Sequence, residues 1–131
     1  MVQLFDRLNS ALDCTFDSGM YLERLDGNEV LFEKVVDQIE KDFGSYWTVE
    51  STVFQTPEVL RTQVIESVLA LLEDSPRSFM NLCYRVDLPE LMVSPILYSN
   101  DLELLEKGEK LGELILDREV QKVWTRMHYS G

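Results

Sequence analysis

Arg118, Lys122 and Arg126 are spaced by four, so on a helix they form one basic stripe. Such a stripe can hold a nucleic-acid backbone, dock an acidic partner or pair with acids of its own chain. The whole chain decides among these. It carries 24 acidic and 12 basic side chains, a net charge of −12, and an acidic surface repels phosphate backbones. No nucleic-acid binding is therefore expected. The first reading of the stripe is intramolecular pairing with Asp117, Glu119 or the acidic N-terminal half, and the second is a docking patch. Residues 1–60 hold twelve acids and four bases, a net −8, which would suit a basic partner. Residues 118–131 set Arg118, Lys122 and Arg126 against Glu119, a net +2.

Tyr46 and Trp47 stand together in a segment without helical periodicity. Loops position recognition side chains, and tyrosine and tryptophan are favoured anchors at interfaces. Tyr46, Trp47, Arg118, Lys122 and Arg126 are thus the candidate interaction residues. The other aromatics, among them Phe54, Tyr84, Tyr98, Trp124 and Tyr129, read as core or core-edge residues.

Catalytic patterns are sparse. The single histidine, His128, lies near the end of the sequence, a poor place to hold a general base rigidly. We expect it to act as a cation at a helix end. No glutamate has a histidine three residues on, as a carboxylate-bridged di-iron bundle would need. HExxH, EF-hand and zinc-ribbon spacings are missing, as are GxGxxG and GxxxxGK[ST]. Glu33/Asp37/Glu40 and Glu113/Asp117 each share a helical face and read as solvated faces. No cofactor and no metal is expected. Cys83, among Phe79, Met80, Leu82 and Val86, reads as a buried small hydrophobe, and Cys14 lies in a polar turn. Both read as free thiols.

The elements that must position these groups are helical. Val2, Phe5, Leu8 and Leu12 predict an amphipathic helix over residues 2–12. MYLERL, between two turn signals, fits either a helical turn or a short strand. Leu31, Val35, Ile39 and Phe43 repeat every four residues, with Asn28 as the N-cap and Gly44 closing the helix in the left-handed conformation. SYWTVESTVFQ has the composition of a short extended segment near residues 46–54, but it has no strand partner and reads as a packed loop. Thr56-Pro57 and Ser75-Pro76 are both cap-then-proline helix starts. The first opens a helix with a wide apolar face, Leu60, Val64, Ile65, Val68, Leu69, Leu71 and Leu72. Asp87 and Glu90 read as a capping box, and Pro95 limits the helix that follows to about two turns. From Asn100, boxed with Glu103, a last helix runs to the end of the chain. Acids crowd its start and bases its finish, and Leu104, Leu105, Leu111, Leu114, Ile115, Val120, Val123, Trp124 and Met127 supply its apolar stripe. Gly108 and Gly112 mark either a break in it or the close approach of a neighbour.

At 131 residues and 45 % hydrophobic content, the chain is expected to fold as one domain, residues 1–131. The expected fold is all-α, a compact bundle of five or six helices with residues 57–73 and 110–127 packed at its centre. Leu60, Val64, Val68, Leu72, Phe79, Leu82, Val86, Leu114, Ile115 and Val123 should be buried together. No apolar run approaches the roughly 20 residues of a membrane helix, and no secretory signal is visible, so a cytoplasmic location is the default expectation. The expected function is that of a small acidic, non-enzymatic helical module that binds another protein; the acidic surface reads first as solubility and second as a face for a basic partner. The alternative is a small-molecule binder or minor enzyme using an inter-helix pocket lined by aromatic and acidic residues. The chain itself should be a monomer or a homodimer, the dimer meeting through Ser45–Gln55.

Overall fold

A computed structural model describes residues 21–47 and 56–129. The expected helix over residues 2–12, Cys14 and most of the loop around residues 46–54 lie outside the described residues. The described residues form six α-helices: α1 (Tyr21–Leu25), α2 (Glu29–Phe43), α3 (Pro57–Asp74), α4 (Pro76–Val86), α5 (Glu90–Leu97) and α6 (Leu104–Tyr129). A single 3-10 turn, Gly44–Tyr46, follows α2, and no strand occurs among the described residues. The fold is an all-α bundle.

Most helix boundaries follow local chemistry. The Asn28 side chain accepts a hydrogen bond from Leu31 N at 3.0 Å, Thr56 does the same for Val59 N at 3.2 Å, and Ser75 for Ser78 N. Pro57 and Pro76 occupy first-turn positions where their missing N–H removes no bond. Within MYLERL, Tyr21–Leu25 is helix, with Tyr21 and Leu25 buried.

Four boundaries differ from the sequence reading. Gly44 has φ +55° and ψ −126°, outside the left-handed helical basin but still closed to residues with a β-carbon. Its conformation turns the chain from α2 into the 3-10 turn. Asp87 does not open α5. It closes α4 in the left-handed conformation (φ 64°, ψ 45°), and the backbone N–H of Leu88 donates to Cys83 O at 2.9 Å. Pro89 stands at the N-cap of α5 without a side-chain bond. The last helix starts at Leu104 rather than Asn100, because the box forms three residues later: the Glu106 carboxylate accepts from the N–H of Glu103 at 3.3 Å.

At the centre, α6 packs on α3 more extensively than on any other element. Gly108 and Gly112 make that approach possible. A β-carbon on Gly108 would lie 2.4 Å from the Leu69 side chain, and one on Gly112 would lie 2.8 Å from Ile65. The glycines therefore mark close packing, and α6 runs through both without a break. Eight of the ten residues expected in the core are buried, while Leu72 and Leu114 sit half-buried at its edge. Leu104, Leu105 and Met127 leave the expected stripe and stand exposed at the two ends of α6.

Candidate interaction surfaces and the buried acid pair

The basic stripe of α6 points largely inward. Arg118 Nε donates to Asp87 O and its Nη2 to Asp87 Oδ2, each at 2.9 Å, while Nη1 reaches Gln121 Oε1 at 3.1 Å. Lys122 Nζ lies 2.6 Å from Asp42 Oδ2, 3.1 Å from Val86 O and 2.9 Å from Glu119 Oε1. Val86 O and Asp87 O are among the last carbonyls of α4, where the helix has no donors of its own and its dipole is negative. Arg118 and Lys122 supply both donors and positive charge there. Lys107 does the same for α5, donating to Leu97 O at 3.0 Å. Arg126 Nη2 donates to Gln38 Oε1 at 3.0 Å, and Gln38 Nε2 passes a bond on to Asp42 Oδ1.

Beneath this stripe lies a pair of carboxyl groups. Asp42 on α2 is buried, and Glu119 on α6 is fully buried. Burial opposes charge on Asp42, but hydrogen bonds from Glu119, Lys122 and Gln38 outweigh it and hold the carboxyl below the ordinary aspartate range. Burial and the neighbouring Asp42 push Glu119 up to about 9, against the opposing charge of Lys122. As a carboxylate, Glu119 would have only the Lys122 ammonium, 2.9 Å from Oε1, to offset its burial, and its Oε2 would have no hydrogen-bond partner. Carrying a proton, it becomes a donor to Asp42 and the pair is satisfied. One proton, one aspartate charge and the Lys122 ammonium thus form a nearly neutral buried unit.

A second anchor joins α1, α3 and α6. Glu113, read as part of a solvated face, is half-buried; it accepts from the Tyr21 hydroxyl and from Arg61 Nε at 2.5 Å. Burial and this carboxylate push the Tyr21 phenol well above its ordinary range.

Tyr46 and Trp47 are half-buried at the end of α2. Trp47 packs edge-on against Phe43, with ring centroids 5.1 Å apart, and the Arg85 guanidinium lies 5.4 Å from the Tyr46 ring centre. Arg118 and Lys122 are thus engaged within the chain, and Tyr46 and Trp47 each pack on a neighbouring side chain. Cys83 is buried, and burial pushes its thiol up to about 12, so it stays a neutral thiol. The His128 ring is exposed and stacks on Trp124 at 4.0 Å, with Nδ1 2.8 Å from Trp124 O.

Two surfaces went unread in the sequence. The first is the outer face of α5 and the head of α6. Leu91 and Tyr98 are 63 % and 64 % exposed, and Pro95 lies exposed between them at helical spacing. Exposed Leu104 and Leu105 follow at the head of α6, beside Asp101, Glu103 and Glu106. The second is a groove of about 460 Å³ between α2 and the tail of α6, lined by Lys34, Asp37, Gln38, Lys41, Val123, Arg126 and Met127. Only the periodicity of α6 hinted at the buried pair, because Glu119 shares the phase of Ile115 and Val123. No group of three or more metal-ligating side chains gathers among the described residues, and no described helix is long and apolar enough to cross a membrane.

No protein-family model, no curated protein and no solved structure matches this chain.

Proposed function

We propose that the protein is a non-enzymatic interaction module that docks another protein chain. The observation that carries this reading is the exposed apolar face Leu91/Pro95/Tyr98, continued by Leu104 and Leu105. The core beneath is closed, so these side chains are surplus to folding. Exposed apolar side chains of this kind are characteristic of contact sites. Glu90, Asp101, Glu103 and Glu106 border it, so the complementary surface has apolar anchors with basic neighbours. The buried pair belongs to the scaffold in this reading, since Glu119 has no access to a substrate. The groove between α2 and α6 has the volume of a ligand site, but no aromatic side chain lines it, so a pocket built from aromatics and acids has less support.

A photo-crosslinking residue at position 91 or 98, introduced in the native cell, tests this. The expected result is a discrete adduct from both positions and none from position 66, which is exposed on α3. Equal labelling from all three positions would count against a docking face.

A further inference from the structure

We infer that the acidic, leucine-bearing head of α6 docks into the basic groove at the tail of α6 in a second copy of the chain. This rests on reading the head as part of a docking face and names what it meets.

The two ends of α6 are complementary in both charge and polarity. At the head, Leu104 and Leu105 project into solvent between Glu103 and Glu106, with Asp101 alongside. At the tail, Lys34 and Lys41 lie two turns apart on α2, and Arg126 is held across from them by its bond to Gln38. Between these cations the groove offers Val123 and the exposed Met127, with Asp37 as its only acid. An occupant that suits it carries negative charge around a small apolar anchor. A phosphate or a nucleic-acid backbone would use the cations and leave the methionine unused. The head of α6 uses both.

The contact has to be between molecules. α6 is continuous over 26 residues, about 39 Å at 1.5 Å per residue, so one molecule cannot bring its own head to its own groove. Net charge opposes association, since each copy carries −12. At physiological salt, however, the screening length is about 8 Å. Contacting ion pairs fall inside that length, and most of the remaining charge on two touching copies falls outside it. Local complementarity therefore outweighs the net repulsion.

Sedimentation equilibrium of the full chain at physiological salt tests this, with folding checked by far-UV circular dichroism. The wild type should show a weight-average mass that rises with concentration above the 15.2 kDa monomer. K34E/K41E, which makes the groove acidic, should return it to 15.2 kDa. E103K/E106K, which makes the head basic, should do the same. Mixing the two variants should restore association, because each then offers what the other lacks. L104S/L105S, which changes no charge, should also abolish association and guards against misfolding of the charge-reversed head. A wild type that stays monomeric up to about 1 mM, the weak limit of specific binding, would overturn the inference, as would association that persists in K34E/K41E. In either case the crosslinking experiment still decides separately whether the face docks a different protein.

Discussion

Glu119 and Asp42 sit within one hydrogen-bonded unit and respond to pH in opposite senses. Glu119 is protonated in the folded protein up to about 9, against an ordinary value of 4.5. Its contribution to stability is complete below 4.5 and declines as pH rises toward 9, because the unfolded chain gives up that proton and the folded chain keeps it. Asp42 is shifted down, so its contribution is complete above its ordinary 3.8 and fades as pH falls through its folded value. Glu119→Gln keeps the shape and the neutral charge. The variant should melt several degrees above the wild type at pH 8, and the two should converge near pH 4.5, as thermal unfolding followed by circular dichroism will show. Lys122 is the counterpart. Lys122→Met leaves the Asp42 charge and the Val86 carbonyl without their donor, and breaking a buried pair from one side costs about 3–5 kcal/mol. Urea unfolding should show a loss toward the lower end of that range, since the Lys122 side chain keeps 14 % of its exposure.

Among the elements, α6 organises the rest. It presses two glycines against α3, and its cations terminate both α4 and α5. The glycines should differ in tolerance. Alanine gains roughly 1 kcal/mol of helix propensity over glycine at either site. At Gly108 the new methyl meets the end of the half-buried Leu69 side chain, which can swing aside, so Gly108→Ala should be close to neutral. At Gly112 it meets the β-branched Ile65 and lies 3.3 Å from that residue's Cα, so α3 itself must move. Overpacking of this kind costs about 1–3 kcal/mol, and Gly112→Ala should lower the urea midpoint where Gly108→Ala does not. Much of this was legible beforehand. The four-residue repeat of α2 and the proline starts of α3 and α4 are local signals, and local sterics enforce them. Asp87 misled because an aspartate three residues before a glutamate fits an N-cap as readily as a left-handed C-cap. Its left-handed φ and ψ and the bond from Leu88 N–H to Cys83 O show which it is, and Arg118 clasps its carbonyl and carboxylate there.

For the molecule as a whole, the net charge of −12 acts in the same direction as Glu119. Self-repulsion among surface carboxylates destabilises the compact state at neutral pH and weakens as the chain approaches its isoelectric point near 4.4. The melting temperature should therefore be higher at pH 5 than at pH 8. At pH 8 it should also rise when salt is increased from about 10 mM to about 150 mM, a change that shortens the screening length from about 30 Å to about 8 Å. A calorimetric scan across both variables separates the two contributions, because Glu119→Gln removes the buried one and leaves the surface repulsion.

Composition and spacing alone determined that the chain is helical, acidic and built around two central amphipathic helices. Those properties follow from periodicity, capping residues and charge, each set by residues a few positions apart. The tertiary structure decided where the polar groups of those helices face. Glu119 and Asp42 lie in phase with the apolar stripes of their helices, yet nothing local says whether an acid in that phase is buried, protonated or solvated. That depends on Lys122 of α6 meeting Asp42 of α2 across an interface between helices far apart in the chain. The same holds in reverse for α5. Its residues are apolar around most of the circumference, so periodicity cannot choose a buried side. The packing of Met92, Val93 and Leu97 into the core leaves Leu91, Pro95 and Tyr98 facing outward. Burial of a charge and exposure of an apolar face are both properties of pairs of surfaces, and a one-dimensional pattern describes only one surface at a time.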